Sequence, residues 1–452
     1  MMPSTHKKIR AFTPLIPLVC GTFLLISATI AGGKQSVDDA EHEAIQYTKS
    51  TPTDPISQLQ KAIDAGKINL DFDAKNGYLR SVLKHLNILP SSQTLVFSKT
   101  SLQRERISPH APRALYFNDE TYIGWVQDSP LLEVSTTDPQ LGATFYLLEQ
   151  RKVGKPRFVR QTYECLQCHS GSLTGGVPGH IVRSVYPRAD GQPEYRAGTM
   201  LTTDQSPLSE RWGGWYVTGK HGANRHMGNV FARGEEEITL DKNAGANVTS
   251  LANIVETSPY LTPNSDIVAL MVLGHQVNIH NYITRANYQT RLALHYEQML
   301  NKELGRPVDA RLESTLSRIK SVCEPLLRAI LFCKEESLLS PIVGTSGFAE
   351  AFAQQGKRDK QGRSLHEFEL QHRLFRYPCS YLIYSPEFDA LPPLAKSYLY
   401  RRLWEVFEEK ETNPDFAHLT SSLRRTIRDI LIDTKPDFAT SRPKGKPLPL
   451  TK

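Results

Sequence analysis

Two cysteines and a histidine stand together in the segment Cys165-Leu166-Gln167-Cys168-His169. Thiols three positions apart can add to the two vinyl groups along one edge of a porphyrin, and the adjacent imidazole can then bind the iron. This spacing is the attachment pattern of c-type haem. The sequence therefore predicts one covalent haem c, held by Cys165 and Cys168, with His169 as the proximal iron ligand.

Two other kinds of site use a pair of cysteines at this spacing. A structural zinc site would need a second Cys/His pair at short spacing, but Cys323, Cys333 and Cys379 are isolated in the sequence. A thioredoxin-like redox pair would lie where a strand enters a helix, whereas the glycine- and serine-rich residues 170–176 indicate a loop. The sequence around the motif fits neither a zinc site nor a redox pair, so it favours haem attachment.

The second axial ligand decides whether the iron keeps an open position. Met200 and Met227 follow the motif at a distance of roughly 30 to 60 residues, as the methionine ligand does in many small cytochromes c. His275 is the third candidate, because it shares the apolar face of a predicted long helix, while His280 lies on the polar side. Further possibilities are an open site or a loop histidine, namely His180, His221 or His226.

An aromatic loop follows the motif, with Trp212, Trp215 and Tyr216 in a glycine-rich setting. These rings can pack on a flat macrocycle, or they can anchor a long loop to the core. The candidate partners for haem propionates are arginines of the same region, namely Arg183, Arg188, Arg196 and Arg211.

Residues 1–33 indicate export. Lys7, Lys8 and Arg10 form a basic start, residues 11–31 carry no charge, and small residues at 27–32 offer a cleavage site. The run is also nearly long enough to span a bilayer, so a retained N-terminal membrane anchor is the alternative. Because haem c is attached outside the cytoplasm, we expect a periplasmic protein that is soluble after cleavage or tethered to the inner membrane.

The charge balance points to no nucleic-acid partner. The 452-residue chain has 54 basic and 47 acidic residues, a formal net charge of +7, and no basic stripe with interleaved aromatic residues. The sequence does not indicate which redox protein would be its partner.

The expected fold class is α+β, mainly helical with a small antiparallel sheet. Short β-rich runs at 114–117, 121–126, 131–135 and 143–148 are separated by turn residues. A helical pattern without proline runs from 267 to about 304, with Asn264 or Ser265 as the cap. The predicted regions are a polar tether (34–54), an α+β lead-in (55–160), a haem-attachment loop region (161–262), a helical region (263–440) and a disordered tail (441–452).

Several longer strings resemble a family of exported bacterial proteins that are described as cytochrome c domain-containing and carry a single CxxCH. The strings are Gly176-Val177-Pro178-Gly179-His180, Arg211-Trp212-Gly213-Gly214-Trp215-Tyr216, Arg225-His226-Met227-Gly228-Asn229, His280-Asn281-Tyr282-Ile283-Thr284-Arg285 and Tyr377-Pro378-Cys379-Ser380-Tyr381. The resemblance covers most of residues 75–435. It implies haem c and export, but no particular reaction.

The expected function is electron transfer, and the sequence leaves open whether the protein is an enzyme. The chain is several times longer than a minimal cytochrome needs, which favours a haem-dependent oxidoreductase, for example peroxidase-like, as the first alternative. In that case His221 or His226 would supply acid–base chemistry. The second alternative is a non-catalytic haem-binding sensor or docking subunit.

Overall fold

The computed structural model describes residues 39–442. Three predicted segments lie outside the described residues, wholly or in large part. They are the signal or anchor (1–33), the first part of the tether (34–38) and nearly all of the tail (441–452). Within residues 39–442, no helix combines the length and the apolar character needed to cross a bilayer.

The fold is α+β, as the sequence predicts. Helices make up 36% of the chain and accompany a seven-stranded antiparallel sheet and a separate two-stranded sheet. Two short helices, α1 (Pro55–Asp64) and α2 (Leu79–His85), come before the sheet. The first six strands follow in the chain as β1 (Thr94–Val96), β2 (Arg113–Phe117), β3 (Thr121–Trp125), β4 (Leu131–Asp138), β5 (Gly142–Glu149) and β6 (Phe158–Gln161).

The Cys165–His169 motif follows the last of these strands, and its last four residues form a one-turn helix, α3 (Leu166–His169). The region behind it contains a two-stranded hairpin, β7 (Arg183–Val185) with β8 (Thr199–Leu201), and then the short strand β9 (Trp215–Tyr216). Strand β9 returns to the large sheet and pairs with β1, so the strand order is β6-β5-β4-β3-β2-β1-β9.

Side chains alternate between the two faces of this sheet. The cross-strand pair Tyr116 and Ile123 packs in a cluster with α1 and α2. The neighbouring pair Phe117 and Tyr122 packs in the main core with the helical region. The sheet is therefore buried on both faces, between the N-terminal helices and the later helices.

A 37-residue helix, α4 (Ile267–Glu303), is the longest element of the helical region. Its cap is Asp266 rather than the predicted Asn264 or Ser265, because the Asp266 carboxylate accepts from the backbone nitrogens of Val268 and Ala269. The remaining helices are α5 (Glu313–Ile330), α6 (Phe348–Gln355), α7 (Pro386–Asp389), α8 (Pro393–Phe407), α9 (Ser421–Thr434) and α10 (Pro436–Thr440).

The sequence did not predict the short elements β1, β6, β9 and α6. Strands β1, β6 and β9 have only three, four and two residues. Runs this short have too little periodicity to show in a sequence.

Residues 39–54, the described part of the predicted tether, pack against the sheet. Tyr47 is fully buried and its hydroxyl donates to the backbone oxygen of Ala143 at 2.8 Å. Arg160 donates to the backbone oxygens of Tyr47 and Ser50 at 2.8 and 2.9 Å. These bonds fix the segment to β5 and β6.

Candidate functional site

The haem motif lies at the protein surface, between the sheet and the loop that follows it. Cys165 is half-buried and Cys168 is exposed. Both are free thiols rather than partners in a disulfide. The single turn of α3 therefore presents both sulfurs, with His169 at its C-terminal end.

Gly179 holds His169 by two hydrogen bonds. The backbone nitrogen of Gly179 donates to the His169 backbone oxygen at 2.8 Å. In return, the imidazole Nδ1 of His169 donates to the Gly179 backbone oxygen at 2.9 Å. Because a carbonyl oxygen can only accept, Nδ1 carries the proton and Nε2 is the ring nitrogen with a lone pair. This is the arrangement that orients a histidine ligand for a metal ion.

Asn281 of α4 clamps the next residue of the same loop. Its Oδ1 accepts from the His180 backbone nitrogen at 2.9 Å, and its Nδ2 donates to the His180 backbone oxygen at 2.8 Å. A methyl group on Gly179 would lie 2.3 Å from Asn281 Oδ1 and 2.9 Å from Thr174 Cβ. Only glycine leaves room for this close approach, so α4 sets the position of the carbonyl that orients His169.

His169 is kept neutral by its surroundings. Burial is the main cause that lowers its pKa, and the positive charges of Arg113 and Arg183 act in the same direction, while the bond to Gly179 opposes them. The ring of Phe145 packs beside the imidazole, with 4.9 Å between the centroids. A neutral imidazole is the form that binds a metal ion.

The Cys165 thiol is not activated as a nucleophile. Burial raises its pKa to about 11, and the carboxylates of Glu133 and Glu164 contribute in the same direction. Redox-active cysteine pairs depend on a lowered thiol pKa. The environment of Cys165 is therefore unlike that of a thioredoxin-type site.

An ion pair in the sheet lies close enough to act on both Cys165 and His169. Arg113 of β2 donates to Glu133 of β4 at 2.7 Å, and both side chains are mostly buried. The guanidinium rests on the backbone of Gly124, where a methyl group would lie 2.4 Å from Arg113 Nη2. Sequence reasoning missed this pair, because its members belong to strands joined only through the intervening strand β3.

Two buried histidines lie behind Phe145. The His180 ring contacts Ser135 Oγ at 3.1 Å and is 5.8 Å from the His280 ring. Burial holds the pKa of His180 well below its usual range. Burial alone would also lower the pKa of His280, but the Glu387 carboxylate bonded to its Nδ1 outweighs burial and raises it.

The polar side of the long helix, on which His280 is predicted to lie, is buried rather than exposed to solvent. His280 is 1% exposed, and its Nε2 donates to the Asp119 backbone oxygen at 3.0 Å. The first half of α4 is covered all round, by the sheet on one side and by later helices on the other. Helical periodicity could not show this, because a helix buried on every side has no solvent face.

His275 is buried, as its apolar face predicts, but both of its ring nitrogens are engaged. Nδ1 donates to the Asp204 carboxylate at 2.7 Å, and Nε2 accepts from the Ser380 hydroxyl at 2.8 Å. The ring stacks on Phe332 with 4.4 Å between the centroids. In this arrangement His275 has no ring nitrogen left for an iron ion.

The two candidate methionines differ in exposure. Met227 is fully buried, and its sulfur accepts from the Ser184 hydroxyl at 3.6 Å. Met200 is half-buried in β8, opposite Ser184 of β7. Among the described residues, the Met200 sulfur accepts no hydrogen bond.

The loop histidines His221 and His226 form a buried pair whose rings are 4.8 Å apart. His221 donates to the Asn224 backbone oxygen at 3.0 Å and accepts from the Asn247 backbone nitrogen at 2.8 Å. His226 accepts from the Gly228 backbone nitrogen at 3.0 Å, and its Nε2 has no hydrogen-bond partner in the part of the chain that the structure describes.

The aromatic loop anchors the chain to the core. Trp212 is fully buried, and Trp215 is 4% exposed with its indole nitrogen donating to the Arg183 backbone oxygen at 2.9 Å. Three of the four arginines proposed as propionate partners are already engaged. Arg211 is buried and donates to backbone oxygens, while Arg188 and Arg196 both bind the Glu194 carboxylate.

Arg183 is the candidate arginine that remains unpaired. It is half-buried, and its guanidinium forms no ion pair or hydrogen bond among residues 39–442. Arg285, exposed on α4 one turn after Asn281, is also without such a partner and lies beside the motif loop, 3.5 Å from the position a methyl group would take on Gly175.

Across the described residues 39–442, no group of three or more His, Cys, Asp or Glu side chains is arranged to hold a metal ion. A structural zinc ion needs four such ligands. A haem needs only one protein ligand beside its own nitrogens, so His169 alone satisfies the minimum.

Comparison of the chain with protein-family models, with curated proteins and with solved structures found no match.

Replacing Gly179 by alanine tests the close packing of Asn281 against the loop that orients His169. The added methyl group would collide with Asn281, so we expect Gly179→Ala to lower the free energy of unfolding by about 1 to 3 kcal/mol. Gly171→Ala is the matched control in the same loop, because a methyl group there meets no atom within 4 Å. Urea unfolding measures both variants. Equal effects of the two substitutions would show that the contact with Asn281 is not limiting.

We expect the buried side chain of His226 to make the folded protein less stable in acid. Burial, followed by the charges of His221 and Arg225, lowers its pKa to about 3. Below about pH 6.5, the unfolded chain binds a proton that the folded chain excludes, so stability falls as the pH falls. Between about pH 6 and about pH 4, this histidine should contribute a loss of about 1.4 kcal/mol per pH unit.

The His226→Gln variant should lose this part of the pH slope. Urea unfolding of the wild type and the variant across this pH range provides the measurement. His110→Gln is the control at an exposed position and should leave the slope unchanged. A slope that His226→Gln does not alter would contradict the assignment.

Proposed function

We propose that this protein carries one haem c, bound covalently at Cys165 and Cys168 with His169 as proximal iron ligand, and that it transfers electrons in the periplasm. The observation that carries the proposal is the hydrogen bond from His169 Nδ1 to the Gly179 carbonyl. It leaves Nε2 for the iron and fixes the orientation of the ring, which is what a proximal ligand requires.

The rest of the motif environment is consistent with attachment of a large planar group. Both cysteines are free of disulfides; Cys168 is exposed and Cys165 is half-buried, so the motif can be approached by a porphyrin edge. Arg183 and Arg285 would hold the haem propionates, because both lie beside the motif loop and neither has an ion-pair partner among residues 39–442. When bound, the haem supplies a one-electron iron couple.

The periplasmic location is supported by residues 1–33 and by the chemistry of haem attachment. The resemblance to exported cytochrome c domain-containing proteins agrees with it. The N-terminal segment is either cleaved after export or retained as an anchor in the inner membrane.

A haem-dependent oxidoreductase is the second candidate function. The observation in its favour is the buried, hydrogen-bonded pair His280 and Glu387, which lies near His180 and Phe145 behind the motif. A simple electron carrier does not need a titratable pair at this depth, and buried titratable groups with a raised or lowered pKa are concentrated at functional sites.

Covalent attachment can be tested by producing the full chain together with a c-type haem maturation system. We expect one haem to remain on the protein after denaturation, as measured by mass spectrometry and by the absorbance of the reduced pyridine complex. Cys165→Ser/Cys168→Ser should retain none, because the bonds to both vinyl groups are lost.

His169→Ala should keep the covalent haem but change its spectrum. Cys379→Ala, which removes a thiol buried in the helical core, is the control and should load haem normally. Purified protein that holds stoichiometric zinc and no haem would contradict the proposal.

Met200 is our candidate for the second axial ligand, since its sulfur accepts no hydrogen bond within the described protein. We expect Met200→Leu to convert the ferric haem from six-coordinate low-spin to high-spin, as measured by optical and electron paramagnetic resonance spectra. Met227→Leu is the control in the core. An unchanged spectrum of the Met200 variant would refute this ligand.

The same spectra separate the two candidate functions. A low-spin wild type that does not respond to cyanide or peroxide supports a carrier and contradicts the oxidoreductase. A high-spin ferric form that binds cyanide and peroxide supports the oxidoreductase and contradicts a simple carrier, because an oxidoreductase needs an open iron position.

A further inference from the structure

A pocket of about 380 Å³ lies between α5 and α8, on elements separate from the haem motif. Spacings of three and four residues bring each set of side chains to one helix face. The residues that line the pocket are Lys320, Glu324 and Arg328 of α5, Tyr398, Arg401, Arg402 and Glu405 of α8, and Asn413.

Most charged groups in this pocket are already paired. Arg402 donates to Glu324 at 2.7 Å and to Glu405 at 2.6 Å, and its third nitrogen binds Glu411. The second oxygen of Glu324 accepts from Arg328 at 2.9 Å. These carboxylates are therefore occupied as hydrogen-bond acceptors.

Arg401 is the exception. Its side chain is 8% exposed, and none of its three guanidinium nitrogens has a hydrogen-bond partner among residues 39–442. Its ion-pair contact, from Nε to Glu405, measures 3.6 Å, which is too long for a hydrogen bond. The guanidinium lies 5.0 Å from the centre of the Tyr398 ring. A buried guanidinium without acceptors is costly, so an acceptor that enters the pocket would be stabilised there.

Lys320 adds a second cation to the same pocket. It is exposed and forms no ion pair within the described part of the chain. The unpaired groups of the pocket are thus donors with positive charge, and the complement to such groups is a ligand that only accepts hydrogen bonds and carries negative charge.

We propose that this pocket binds a small oxyanion, a carboxylate or a phosphate, through charge-assisted hydrogen bonds from Arg401 and Lys320. The planar fork of an arginine matches both kinds of anion. The volume of about 380 Å³ is in the range of small-molecule sites. Glu405 competes for Arg401, so the anion takes the place of the long contact between these two side chains.

The test is isothermal titration of the purified, haem-loaded full chain with inorganic phosphate and, separately, with succinate at low ionic strength. We expect saturable binding of at least one anion, and the preferred one identifies the ligand as a phosphate or a carboxylate. Arg401→Met keeps the buried bulk but removes the donors, so it should weaken binding at least about tenfold. Lys320→Gln should weaken binding about two- to fivefold, because an exposed charge contributes less.

Glu405→Gln removes the competing carboxylate and should tighten binding about two- to tenfold. This variant and Lys320→Gln both keep Arg401, so they test the site even if Arg401→Met does not fold, which circular dichroism will show. Absence of binding by either anion to the wild type overturns the proposal. Binding that is equal in all three variants also overturns it, because the anion is then an adventitious ion only.

Discussion

The long helix α4 must satisfy buried polar side chains along its length, and the rest of the structure is arranged to meet this requirement. Gln276 bonds Tyr122 of the sheet and Tyr381 of the helical region, at 2.8 and 2.7 Å. Further along, Tyr288 donates to the Leu141 backbone oxygen at 2.9 Å. Because an unpaired polar group in the core is costly, each bond fixes one neighbouring segment to the helix. Helix α4 thus links the sheet, the motif loop and the C-terminal helices.

The candidate haem site shows the consequence of this arrangement. Asn281 holds the backbone of His180, and the adjacent Gly179 carbonyl orients His169. His169 is therefore positioned by a helix more than 100 residues away in the chain, through the two loop residues Gly179 and His180. A site supported in this way is rigid, which favours a cofactor whose iron must keep one geometry during electron transfer.

Burial governs the electrostatics at the motif and at the pocket between α5 and α8, with opposite results. At the motif, burial lowers the pKa of His169 and raises the pKa of the Cys165 thiol, which favours the neutral imidazole that ligates a metal ion and disfavours a thiolate at Cys165. Between α5 and α8, burial surrounds a guanidinium that cannot give up its charge, so the energetic need there is for an acceptor. The first site is therefore suited to a neutral ligand atom, and the second to an anion.

Local sequence patterns were enough to predict the four central strands and the long helix, because spacing and periodicity are local properties. They also indicated correctly that His275 is buried. The partners of the buried groups follow from the three-dimensional packing instead. His275 pairs with Asp204 and Ser380, and His280 is covered rather than exposed. Arg183 has no ion pair or hydrogen bond from its guanidinium among residues 39–442, whereas Arg211 donates to backbone oxygens. These outcomes depend on residues up to 161 positions apart, and no local pattern contains the choice of a distant partner.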